Sequence, residues 1–333
     1  MANFPQTQKA LIFNTKTNAL SLTNAAPIPS STEEHIIKVH STAITNGELT
    51  WASFVNWPTE HVPTYDVSGT IVTEVTGSKF KPGDKIYGRI DAAREGTARQ
   101  YATILPSETA LVPKNLSMTD AASVPMSALT AWQAVFEQGE LSASPYVDEA
   151  GEVVGNQAKG KRALILGAAG GVGLFAVQLA KIAGATVLGT ASSRNEEFLK
   201  GLGIDEVINY TKTSVEEWIG GDESKKFDLV FACVGGKSML DGWSAVKENG
   251  AYVSVGPGFK EPEGGKPKGV KSAWFVMDSR GSELELIGRF IGKGLVKTWV
   301  DSVWTIEEYD KAFAKTATGH ARGKVVIKIG DEE

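Results

Sequence analysis

The chain has 333 residues with 42% hydrophobic and 22% charged residues, enough for a core of useful size and about two domains. A net charge of −5 argues against a basic nucleic-acid footprint, and no run of eighteen apolar residues offers a membrane span. The opening residues Met1–Lys9 lack the charged and apolar regions of a signal peptide, so the expected compartment is reducing and intracellular, by default the cytoplasm.

Cys233 is the only cysteine, which excludes an intrachain disulfide and a four-cysteine zinc lobe. The four histidines, His35, His40, His61 and His320, include no pair three or four residues apart. They read as surface or hydrogen-bonded residues, and no metal site is expected.

Residues 1–125 read as strands and turns. Ala10–Phe13, Ile36–His40 and Thr70–Val75 are short apolar-rich runs, and Lys81-Pro-Gly-Asp84 is a turn that launches Lys85–Gly88. Short strands punctuated by Gly and Pro suggest a barrel-like β domain. Thr119–Ser123 then opens a helical stretch that Pro125 interrupts, and Ser127–Gln138 is apolar at helical spacing up to Gly139. Residues 142–160 show no clear period and read as an exposed excursion. From Arg162 the chain alternates: strands at 162–167, 186–191, 206–209, 227–234 and 250–255, with helices at 171–184, 195–202, 214–219 and 237–247. Alternation of this kind predicts a parallel sheet with helices on both faces. A glycine-rich loop at 256–269, a strand at 273–277, a helix at 282–292 and a closing run Val325–Ile329 follow.

The most specific motif is Leu164-Ile-Leu-Gly-Ala-Ala-Gly-Gly-Val-Gly173, where a buried strand enters a glycine-rich turn and continues as a helix. That context is what a dinucleotide fingerprint requires. Gly170 admits a pyrophosphate, Gly173 lets helix and strand pack closely, and the helix N-terminus supplies N–H donors. The second strand ends in Thr190-Ala-Ser-Ser-Arg194 without an acid at its tip. Hydroxyls of Ser192 and Ser193 with the Arg194 guanidinium suit a 2′-phosphate, so the expected cofactor is NADPH. Tyr210, after the third strand, is a further candidate at the same phosphate or the adenine.

Gly167–Gly173, Ala176–Lys181, Gly189–Ser193 and Asp205–Tyr210 resemble the medium-chain dehydrogenase/reductase superfamily, and most of all its quinone oxidoreductase and enone (alkenal, enoyl) reductase branch. Pro63–Gly69, Phe80–Asp84, Ser127–Trp132 and Gly319–Val326 extend the likeness over nearly the whole chain. The resemblance implies an α/β protein with a GroES-like β catalytic domain, residues 1–126 and 281–333, around a Rossmann domain at 127–280. It places Ala169, Gly170, Gly171, Val172, Val234, Gly256 and Lys324 at the cofactor, alongside Ser192, Ser193, Arg194 and Tyr210. It also implies the absence of zinc: a ligand cysteine is matched by Thr45, and a His-Glu pair by Tyr65-Asp66. The branch motif Asn-x-x-Asp reads here Thr45-Asn-Gly-Glu48, with Asn46 an alternative counterpart one residue out of register.

The implied chemistry is hydride transfer to a conjugated C=C bond or a quinone. Tyr65 is the candidate proton donor, water being the alternative. Thr130 is expected at the nicotinamide, and Thr45 and Glu48 are further catalytic candidates. Trp51, Phe54, Trp57 and Trp274 could line an apolar cleft. A homodimer paired through strands such as Trp274–Met277 is expected from relatives. Two readings compete: a pathway enoyl reductase acting on a larger natural-product intermediate, and an NADPH-binding protein without turnover.

Overall fold

The computed structural model describes residues 4–331. The chain divides into two compact units, one formed by the segment up to Met126 and the chain from Asp278 onward, the other by Ser127–Met277.

The first unit is built mainly on antiparallel pairing, with Val300–Thr305 running parallel to Lys324–Lys328. Its larger sheet runs Val300–Thr305, Lys324–Lys328, His35–Ile44, Asp66–Ile71, Lys85–Arg89, Thr109–Leu111, and Tyr101–Ile104 also pairs with His35–Ile44. A smaller sheet places Thr7–Asn14 between Ala19–Pro27 and Glu60–His61. Ile37, Val39, Val67, Ile86 and Ile104 form one buried cluster, the β-branched residues packing well on a pleated surface. The expected strand at Thr70–Val75 lies instead at Asp66–Ile71. Gly69 is inside it, not at its start. A Cβ there would meet Lys38 O at 2.5 Å, so the glycine permits a close backbone approach between paired strands.

The second unit carries a six-stranded, all-parallel sheet in the order Glu206–Asn209, Thr186–Ala191, Arg162–Leu166, Phe227–Ala232, Val246–Ser254, Lys271–Trp274. This is the doubly wound Rossmann order, whose switch point lies between Arg162–Leu166 and Phe227–Ala232. Leu164, Leu166, Leu188, Val230, Trp243 and Tyr252 are among its buried core. The strand expected at 273–277 lies at Lys271–Trp274, and two further local expectations change. The helix expected to reach residue 247 is Gly236–Asp241 with a 3-10 turn to Ala245, and the next strand already starts at Val246. Residues 142–160 contain a short hairpin, Tyr146–Val147 against Val153–Val154.

Candidate active site

In the second unit, Gly167 takes φ 82°, and its N–H donates to Thr190 Oγ1 at 2.9 Å while Ala168 N–H donates to Thr190 O at 3.1 Å. The first two strand tips are thereby tied to one another around the glycine turn. A Cβ on Gly173 would fall 2.2 Å from Gly167 O, so helix and strand approach more closely than any side chain allows. The helix Gly171–Ile182 begins after Gly170 without a side-chain cap, which leaves its first N–H groups to an anion. A Cβ on Gly256 would fall 2.7 Å from Val234 O, so the ends of two neighbouring strands are also held close. This cradle fits a dinucleotide. Ala169, Gly170, Gly171 and Val172 lie on it, and the half-exposed Val234 faces Gly167.

The tip of the second strand turns through a 3-10 segment, Ser193–Asn195, with Ser193 and Arg194 exposed and Ser192 half-buried. Glu196 and Glu197 follow, and both carboxylates pair with Lys200 at 3.1 Å. Tyr210 is 53% exposed, which leaves its ring accessible. Thr130 belongs to the helix Pro125–Trp132 and is buried.

In the first unit the structure brings Thr45, Glu48, Asp66 and Lys324 together. Strand pairing explains this: Val325 sits opposite Ile44, and Ala43 opposite Asp66. Lys324 Nζ donates to Thr45 Oγ1 at 2.9 Å and lies 2.9 Å from Asp66 Oδ2, an attraction of charge without an aligned hydrogen bond. Asp66 Oδ1 accepts the Met126 N–H at 2.6 Å. The Thr45 hydroxyl donates to Met126 Sδ at 3.0 Å. Lys324, expected at the cofactor, thus commits its ammonium to Thr45 and Asp66.

Glu48 follows Gly47, whose φ of 79° turns the chain so that the carboxyl points inward. Its Oε2 accepts the Thr45 N–H at 2.9 Å, and its Oε1 has no hydrogen-bond partner. Burial pushes the carboxyl up to about 8, against the opposing effects of the Thr45 N–H and the Lys324 charge. Tyr65 is fully buried, with Trp51 stacked on it at 5.6 Å and its hydroxyl 2.8 Å from His61 Nε2. His61 joins this candidate cluster without having been singled out in the sequence, since a lone histidine at spacing four from a tyrosine carries no motif. Of the aromatic candidates, Trp57 is buried and donates to Ala92 O, Phe54 is 81% exposed, and Trp274 donates to Gly256 O from the edge of the parallel sheet.

A parallel dinucleotide fold together with a separate β unit is the architecture of the medium-chain class of oxidoreductases. A family model described as "Zinc-binding dehydrogenase" matches residues 202–327. A protein of Arthroderma benhamiae described as "Probable zinc-binding oxidoreductase, mitochondrial" is 40% identical over 99% of both chains. The 2-methylene-furan-3-one reductase of Solanum lycopersicum is 34% identical, over 81% of this chain and 64% of its own. The quinone oxidoreductase of Coxiella burnetii superposes with a TM-score of 0.81 at 28% identity, covering 97% of this chain and 99% of that one. The chain belongs to the medium-chain dehydrogenase/reductase superfamily, in its quinone oxidoreductase-like branch. It is accordingly an oxidoreductase that works with a nicotinamide cofactor.

Proposed function

We propose that this protein uses NADPH, without zinc, to reduce a conjugated C=C bond or a quinone. The observation that carries the reading is the Lys324–Thr45 pair. The proton of the Thr45 hydroxyl rests on a thioether sulfur, a weak acceptor, while the ammonium polarises its oxygen. A carbonyl oxygen gaining negative charge would draw that proton away from sulfur, which is the arrangement that stabilises an enolate.

The donor set argues against zinc despite the names of the family model and the fungal relative. Where a metal would need several ligands, the Asp66 carboxylate and the Thr45 hydroxyl already hold a lysine ammonium. Among the described residues, no three His, Cys, Asp or Glu side chains converge. Carbonyl reduction at oxygen leans on a strong electrophile, whereas addition at a β-carbon spreads the charge by conjugation. The tomato reductase's substrate name, a conjugated methylene ketone, supports the same choice.

When bound, the nicotinamide supplies the hydride. Ala169–Val172 would hold the pyrophosphate, and Ser192, Ser193 and Arg194 the 2′-phosphate, with Tyr210 beside it. The pairing of Lys200 with both nearby glutamates lessens their repulsion of a phosphate. Thr130 orients the nicotinamide, and Tyr65 gives a proton to the α-carbon. The protein works as a homodimer joined through the edge strand Lys271–Trp274.

The test is product analysis with an unsaturated ketone and NADPH deuterated at the transferable position. Deuterium at the β-carbon of a saturated ketone is expected. Deuterium on the carbinol carbon of an allylic alcohol, with the double bond intact, would overturn the reading.

A further inference from the structure

His61 closes the strand Glu60–His61, and the chain returns over it within four residues to place Tyr65. The return runs through Thr64 at φ 67°, a region a β-branched residue rarely adopts. The strain is held by Thr42 Oγ1, which donates to Thr64 Oγ1 at 2.7 Å, with Thr97 Oγ1 at 3.1 Å. Strain of this kind persists where the surroundings over-determine it, and it clusters at working sites. What it secures is the 2.8 Å hydrogen bond between His61 Nε2 and the Tyr65 hydroxyl.

The other face of the imidazole is also organised. Nδ1 lies 3.5 Å from Glu95 Oε1 and has no hydrogen-bond partner of its own. Glu95 is fixed by accepting the Val62 N–H at 2.7 Å, and its side chain is 41% exposed. Trp57 stacks on the ring at 4.3 Å and 10°. The three groups therefore run from solvent to a buried phenol.

We infer that His61, charge-balanced by Glu95, is the proton reserve that recharges Tyr65 during reduction. The inference rests on the proposed reduction of a conjugated bond with Tyr65 as donor. Burial, together with Glu48 and Glu95, makes a Tyr65 phenolate costly, so its proton leaves only as another arrives. In the balanced step the α-carbon electron pair takes the Tyr65 O–H proton. His61 Nε2–H passes its proton to the phenol oxygen. The imidazolium becomes neutral imidazole, keeping its Nδ1 proton toward Glu95. One proton from water restores the ring after product leaves. His61 and Glu95 are positioning residues in this scheme. Burial pushes the Glu95 carboxyl up, but His61 and the Val62 N–H outweigh this and hold it below the usual carboxylate range. Arg99 is the further charge acting on Glu95; Glu48, Glu95, Arg89 and Asp91 act on Tyr65.

The test compares wild type with His61→Gln and Glu95→Gln, reading kcat, its solvent deuterium isotope effect and KM for NADPH. His61→Gln should lower kcat on the order of a hundredfold and raise the isotope effect. KM for NADPH should stay within about twofold, since neither residue touches the cofactor cradle. Glu95→Gln, a half-exposed change that keeps its acceptor for Val62, carries the test if His61→Gln does not fold. Folded variants with wild-type kcat and isotope effects would overturn the reserve while leaving the reduction standing. A wild-type protein that reduces no electrophile would remove the functional reading and the reserve with it.

Discussion

Replacing Glu48 by Gln tests whether its carboxyl is stored in the neutral form. The folded side chain titrates at about 8, against an ordinary value of 4.5. Between those values the unfolded chain releases a proton that the folded chain keeps. The group's contribution to stability is therefore full below 4.5 and is lost as pH rises through about 8. At ~1.4 kcal/mol per pH unit, that interval corresponds to roughly 5 kcal/mol. Gln keeps an acceptor for the Thr45 N–H and never ionises. The variant and wild type should be within about 1 kcal/mol at pH 5, and the variant more stable by about 4 kcal/mol at pH 8. Urea unfolding at pH 5, 6, 7 and 8 measures the difference. A gap that does not widen with pH would refute the reasoning, because a neutral buried acid is the only source assigned to it.

Lys324→Met should cost about 3–5 kcal/mol in unfolding experiments, because it strands the fully buried Asp66 carboxylate, and adding Asp66→Asn should recover much of the loss; a double variant no more stable than the single one would contradict this. Arg194→Ala should raise KM for NADPH on the order of tenfold or more while changing that for NADH little, measured by initial rates with each cofactor. Gly173→Val should abolish NADPH binding in a fluorescence titration, since its Cβ would fall 2.2 Å from Gly167 O. Val276→Asp, at a residue 65% exposed beyond the edge strand, should shift light-scattering mass toward the monomer, and a monomeric wild type would end the dimer proposal.

The dinucleotide cradle was legible because its signals are local: strand, turn and helix follow within ten residues, and the glycines report close approaches directly. Strand limits were less legible where a glycine sits inside a strand. Gly69 reads as punctuation, yet it answers to the backbone of Lys38, a contact across some thirty residues. The strand expected from residue 250 likewise begins earlier, at Val246, and runs through Asn249 at φ 58°. In the candidate site, Thr45, Glu48 and Tyr65 were found through motif positions. The partnership of Lys324 with Asp66 was not, because it depends on the register of the strand Lys324–Lys328 against His35–Ile44. His61 escaped for the related reason that only the left-handed turn at Thr64 aims Tyr65 back at it.

The order in which the two units can fold during synthesis follows from the interrupted first unit. Ser127–Met277 is one continuous stretch and can close its parallel sheet as soon as it is made. The larger sheet of the first unit cannot, because Lys324–Lys328 pairs with His35–Ile44 across nearly three hundred residues. Until that last strand arrives, Ile44 and Val67 lack a finished layer and Asp66 waits without its cation. Long-range closure of this kind is slow, since loop entropy is lost before the contacts that offset it form. Removal of Lys324–Lys328 thus unsettles a strand made nearly three hundred residues earlier, while the dinucleotide unit, continuous in sequence, keeps every strand of its own sheet.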